Sequence, residues 1–79
     1  MQYINLMSFC ERTGLTTKEV KSYEDRGLIL STTKGTHQFY SLREVYRIKG
    51  ILYFIRTERL SPEDAAARID KEAMPVNRL

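Results

Sequence analysis

Apolar residues recur along this chain with the period of a helix in four places, and the pattern changes to that of strands in one. Leu6, Phe9 and Cys10 fall at i, i+3 and i+4 behind Asn5, a capping residue, and ahead of Thr13-Gly14, so a short first helix is expected. Beyond a tight turn at Gly14-Leu15, the run TTKE places Thr16 three residues before Glu19 as in a capping box, and Gly27 supplies the left-handed stop. A second helix is expected between them. From Leu28 to Tyr40 the residues become β-branched, aromatic and turn-forming, with Lys34-Gly35 as the expected tip of a two-stranded hairpin that needs a helix behind it to persist. SLRE at 41–44 is a second capping box and opens the longest helix, while SPED at 61–64, with Ser61 as cap and Pro62 at the first helical position, opens a fourth. The tail AMPVNRL breaks at Pro75 and is expected to fray.

The long helix carries two apolar faces. Val45, Ile48, Ile51, Leu52 and Ile55 share one at 100° per residue, and are assigned to a core with Val20, Tyr23, Leu28 and Ile69. Tyr46, Gly50, Tyr53 and Phe54 form the other. Either the hairpin folds over this second face and buries its aromatics, which is the favoured expectation, or the face is an exposed patch for a partner.

A chain of 79 residues is one domain, expected over 1–70 with a flexible tail at 71–79, and its own core leaves a thin margin of stability. The fold class that follows is mainly α, a helix-turn-helix of about four helices with a two-stranded β wing. Hydrophobic residues at 42% and charged residues at 29% place it among ordinary globular domains. A single cysteine, Cys10, allows no internal disulfide and suits a reducing compartment, and no apolar run has the length of a membrane span. A cytoplasmic location is therefore expected. The net charge of +3 suits a polyanionic partner but is too mild to identify one.

Two short helices joined by a glycine turn make a helix-turn-helix, whose second helix enters the major groove of DNA. Here that helix presents Thr17, Lys18, Lys21, Ser22 and Asp25 on the side away from Val20. Ammonium groups neutralise phosphate, hydroxyls donate single hydrogen bonds, and helix N-terminal N–H groups point at anions. Lys18, in the first turn, is best placed to reach a base edge, where a lysine favours guanine O6 and N7. A solvated helix face carries the same residue types, so the pattern alone leaves DNA binding and a plain surface evenly matched.

At this point the residues resemble a family. RTGLTTKEVKSYEDRGLI looks like the opening of the MerR family of transcription regulators, typically R-T-G-V-S-x-x-T-I-R-Y-Y-E-x-x-G-L-I, and THQFYSLREV resembles its G-H-R-R-Y-S-x-x-D-V wing and helix start. The resemblance runs from about Ile4 to Ile69 and implies a winged helix-turn-helix that binds double-stranded DNA. It places Thr16 at the recognition-helix cap, Lys21 at the family's arginine, Tyr23 at the second of two tyrosines that meet the backbone, and His37 and Tyr40 at the wing. Ser22 replaces the first tyrosine, and Gln38 and Phe39 stand where the wing usually has arginines, so weaker backbone contacts are implied. The family's effector sensors continue into a long dimerisation helix and a ligand or metal pocket, and nothing in these residues resembles either.

The DNA-contacting set is therefore expected to be Thr16, Thr17, Lys18, Lys21, Ser22, Tyr23, Lys34, His37, Gln38 and Arg43. Tyr46, Tyr53 and Phe54 are the candidate partner surface. Arg43, Arg47, Arg56 and Arg59 either extend a basic rim or pair with neighbouring acids such as Glu44 and Glu58. Glu24, Asp25, Glu63 and Asp64 are read as helix-end or surface acids, Cys10 as a small core residue and Tyr40 as core beneath the wing. No catalytic set, metal site or cofactor is expected. Useful specificity from so small a domain would need a homodimer or tandem assembly on DNA. Two other readings stay open: an excisionase that bends DNA for a recombinase, and a protein-interaction module of the chaperone-modulator kind.

Overall fold

Each end of the first two helices is fixed by a side chain or a glycine close in sequence. The computed structural model describes residues 2–73, and in it α1 spans Leu6–Thr13 and α2 spans Thr17–Asp25. Asn5 Oδ1 accepts the Ser8 N–H at 2.9 Å to open α1, and Gly14, at φ 78°, closes it by donating to the Cys10 carbonyl. The capping box of α2 is complete: Thr16 Oγ1 accepts from the Glu19 N–H at 3.1 Å, and Glu19 Oε1 accepts from the Thr16 N–H at 2.9 Å. At the far end Gly27, at φ 76°, donates to the Glu24 carbonyl and Leu28 to that of Tyr23, the paired bonds of a Schellman stop. Leu15 and Val20, which flank the α2 cap as a hydrophobic staple would, both enter the core.

The sheet has three strands where two were expected. Its order is β1-β3-β2, all antiparallel, with β1 at Tyr3–Asn5, β2 at Thr32–Lys34 and β3 at His37–Ser41. β1 pairs Ile4 with Tyr40 and Asn5 with Phe39, a match between residues far apart in sequence that three residues of alternation do not announce. The hairpin loop is Gly35-Thr36, one residue beyond the expected tip, because Lys34 still belongs to the ladder and faces His37.

β3 runs directly into α3, Leu42–Glu58, and α4 follows at Pro62–Ala73. Ser41 Oγ caps α3 through the Glu44 N–H and Ser61 Oγ caps α4 through the Asp64 N–H. The capping box expected at SLRE is only half formed. The Glu44 carboxylate is taken instead by the Leu30 N–H at 3.2 Å and by Arg47 at 3.5 Å. The core forms where α1, α2, β3, α3 and α4 meet, with Phe9, Val20, Ile29, Tyr40, Ile48 and Ile51 its most enclosed large residues. Val45 and Leu52 join them as expected, and Tyr23, Ile55 and Ile69 pack against them partly buried.

The second apolar face of α3 is divided. α4 approaches so closely that a Cβ at Gly50 would stand 2.7 Å from Ile69 Cδ1, and Phe54 is half-buried with the Arg68 guanidinium 4.8 Å from its ring centre. The wing does not cover the remainder: Tyr46 is 69% exposed and Tyr53 59%. The expectation that the hairpin buries these aromatics is thus corrected, because α4 takes one edge of the face and the sheet reaches neither tyrosine. The expected tail, 71–79, begins within the last turn of α4 and otherwise lies outside the described residues.

Candidate nucleic-acid interface

Burial of Val20 fixes which side of α2 faces solvent. Thr17, Lys18, Lys21, Ser22 and Asp25 are all exposed, as the periodicity requires, while Tyr23 is half-buried with the Arg26 guanidinium 6.0 Å from its ring centre. Thr16 is committed through its oxygen to the Glu19 N–H, which leaves its own hydroxyl proton free to donate. Neither Lys18 nor Lys21 makes an ion pair among the described residues. The exposed cations of this helix therefore carry no internal counter-charge.

The hairpin stands on the other side of an open groove whose walls include Thr17 from α2, Met7 and Cys10 from α1, and His37, Gln38 and Phe39 from β3. Lys34 and His37 face each other across the last ladder position before the loop, and both are exposed. Gln38 is half-buried and turns its amide toward Ser31, donating to Oγ at 3.3 Å. The structure thus brings Thr17 and His37 to one groove, with Lys18, Lys21 and Lys34 exposed on the two elements that form it. Arg43 is not part of this arrangement. It lines a separate cleft with Tyr3, Leu30, Ser31 and Thr32 that shares no residue with the groove.

The basic rim separates into paired and unpaired groups. Arg47 donates to both oxygens of Asp70, at 2.8 and 3.0 Å, and to the Leu28 carbonyl at 2.7 Å, so it fastens α3 to α4 and to the chain leaving α2. That fork holds the Asp70 carboxyl below its ordinary value and, together with Glu44, raises the guanidinium. Arg26 grips Glu63 through two bonds of 2.9 and 2.8 Å, tying the end of α2 to the start of α4 and lowering the Glu63 carboxyl. Glu58 pairs with Arg68 at 3.0 Å rather than with Arg56 or Arg59.

One acid departs from its expected place. Glu24, expected at the helix end or surface, is half-buried, and its Oε2 and the Tyr40 hydroxyl are both enclosed with no hydrogen bond of regular geometry. Burial first, and the Glu24 carboxylate second, push the Tyr40 phenol well above its ordinary value. The pair joins α2 to the central strand of the wing, and its spacing in sequence offered no signal of that. Among the described residues there is no cluster of His, Cys, Asp or Glu that could hold a metal, and no helix is long and apolar enough to cross a membrane.

Comparison with known families agrees with this geometry. The family model described as MerR HTH family regulatory protein matches residues 6–72, from the start of α1 into the last turn of α4. No curated protein matches the chain significantly.

Proposed function

The chain belongs to the MerR HTH family of regulatory proteins and is a DNA-binding transcription regulator, and from that premise we propose that it reads a specific duplex sequence with α2 in the major groove and the β2–β3 hairpin on the adjoining backbone. The observation that carries this reading is the pair Lys18 and Lys21, exposed and without an ion pair among the described residues on α2 opposite buried Val20, with Thr17 and His37 lining one groove and Lys34 exposed beside His37 on the hairpin.

In this reading Thr17 and Lys18 meet base edges, since the first turn of a recognition helix goes deepest into the groove. Thr16, Lys21, Ser22 and Tyr23 hold the phosphates, Lys21 by charge and the others by single hydrogen bonds. Lys34 and His37 touch the backbone or the minor groove beside the hairpin. Gln38 contributes less than an arginine would, because it carries no charge and its amide already faces Ser31. Arg43, in its own cleft, reaches only phosphates beyond the main footprint. The protein acts by binding rather than catalysis, in the cytoplasm, and gains specificity as a homodimer or in tandem on repeated sites.

The test is a titration of the purified chain into a mixed-sequence duplex at two salt concentrations, followed by selection of the bound sequences. The reading expects binding that weakens steeply with salt and enriches one motif. Absence of binding at low salt would contradict it.

A further inference from the structure

One face of α3 has no partner among the described residues. Tyr46, Lys49, Tyr53 and Arg56 recur at intervals of three and four residues, and all four are exposed. At 1.5 Å per residue they form a stripe about 15 Å long. Two tyrosines offer flat, amphipathic contact area, and two cations offer charge with no acid among them. Neither Lys49 nor Arg56 makes an ion pair among the described residues. Phe54, grouped with the tyrosines by the sequence, is turned toward α4 under Arg68 and is not part of the stripe.

The direction of this face decides against DNA as its occupant. Glu44 and Arg47 mark the side of α3 that receives the chain leaving α2, through the Leu30 N–H and the Leu28 carbonyl. Tyr53 is nine residues from Glu44, about 180° away at 3.6 residues per turn. The stripe therefore looks away from the side of α3 that receives the chain leaving α2. Charge decides against a second copy, since an isologous contact brings each stripe against itself and sets Lys49 and Arg56 against their own equivalents.

We infer that the Tyr46–Lys49–Tyr53–Arg56 face of α3 is a docking surface for an acidic, partly apolar segment of another protein, of about three helical turns. Carboxylates of the partner meet Lys49 and Arg56, and its aliphatic or aromatic side chains lie between and over the two tyrosines. Such a surface lets the chain recruit a partner while its DNA side stays occupied. The inference stands on the exposure and charge of this face, and it rests on the reading above only in taking the α2 side as the one that meets DNA.

The test uses the full chain and a displayed library of random 16-residue peptides, with counter-selection against the Lys49→Glu/Arg56→Glu variant. Enriched peptides are expected to be acidic with interspersed aliphatic or aromatic residues. A synthetic representative is expected to lose at least tenfold in affinity to the charge-reversed variant and to Tyr46→Ala/Tyr53→Ala, and to bind more weakly as salt rises. Melting curves establish that each variant folds, and the charge-reversed pair, altered only at exposed positions, carries the test if the tyrosine pair does not. The inference is overturned if no peptide is enriched, or if enriched peptides lack acidic excess or bind the charge-reversed variant equally well. It is also overturned if sedimentation shows a dimer that Tyr53→Ala dissociates, or if charge reversal weakens duplex binding as much as Lys21→Ala does, which would assign the face to self-association or to DNA.

Discussion

The ring of Tyr40, in the central strand of the sheet, lies on the ring of Phe9 in α1, with centroids 4.4 Å apart and planes 22° from parallel. This stack joins the wing to the helix-turn-helix, and it buries the phenolic oxygen beside Glu24 without a hydrogen bond of regular geometry. Truncating Tyr40 to alanine removes the stack and leaves a cavity, and is expected to cost about 3–5 kcal/mol. Tyr40→Phe keeps the ring and removes only the phenolic oxygen beside the enclosed Glu24 carboxylate oxygen, so it should cost about 1–2 kcal/mol, well below Tyr40→Ala. Chemical denaturation of both variants checks the pair of outcomes.

The same residue sets an alkaline limit. Folding holds the Tyr40 phenol above its ordinary value, so the unfolded chain loses this proton first as pH rises. The stability contributed is complete below about pH 10, the ordinary tyrosine value, and is lost as pH climbs toward the folded value. Denaturation midpoints measured from pH 8 to 11 should fall at the upper end for the parent, and less for Tyr40→Phe.

On the acid side the informative group is Asp70, held below its ordinary value first by its hydrogen bonds from Arg47. A lowered carboxyl stabilises the fold above its unfolded value and loses that contribution as pH falls toward the folded one. Asp70→Asn should therefore flatten the decline in stability below about pH 4. At neutral pH its cost should stay under about 1 kcal/mol, because Asp70 is half exposed and solvent screens the pair. Arg47→Ala also strips the Leu28 carbonyl of its donor and should cost more, about 1.5–3 kcal/mol. Thermal melts across pH 3 to 7 compare the two.

The wing offers a test by gain of function. Gln38 stands where an arginine is usual in the family pattern, on the strand that also carries His37 to the groove. Gln38→Arg adds one cation within reach of phosphate. The slope of log affinity against log salt should steepen by about one, with tighter binding to every duplex alike. An unchanged slope would mean that β3 does not approach the backbone at this position.

What the sequence disclosed and what it concealed differ in range. The caps at Asn5, Thr16 with Glu19, and Ser61, and the glycine stops at Gly14 and Gly27, were legible because each is satisfied within a few residues of itself. The core face of α3 was legible for the same reason, since Val45, Ile48, Ile51 and Leu52 follow one local period. β1 was not, because its partner Tyr40 is 36 positions from Ile4 and three residues carry too little pattern. Nor was the fate of Glu44, whose carboxylate leaves its own cap for the Leu30 N–H, or of Gly50, which belongs to the contact with Ile69 rather than to an aromatic face. The solvent-facing side of α2 could be read from its period. The separation of Arg43 from the groove and the enclosure of Glu24 beside Tyr40 depend on where distant elements pack, and only the structure supplies that.

The most direct measurement of the central claim compares the sequences selected from a random duplex pool by the parent, Lys18→Ala and Lys21→Ala, with affinities taken at two salt concentrations. Lys18→Ala should relax base preference at one or two positions of the motif, with about 1–3 kcal/mol of discrimination lost there. Lys21→Ala should keep the motif, weaken all sequences alike, and flatten the salt slope by about one. If both variants select the parent's motif with the parent's affinity and slope, α2 is not the helix that reads DNA.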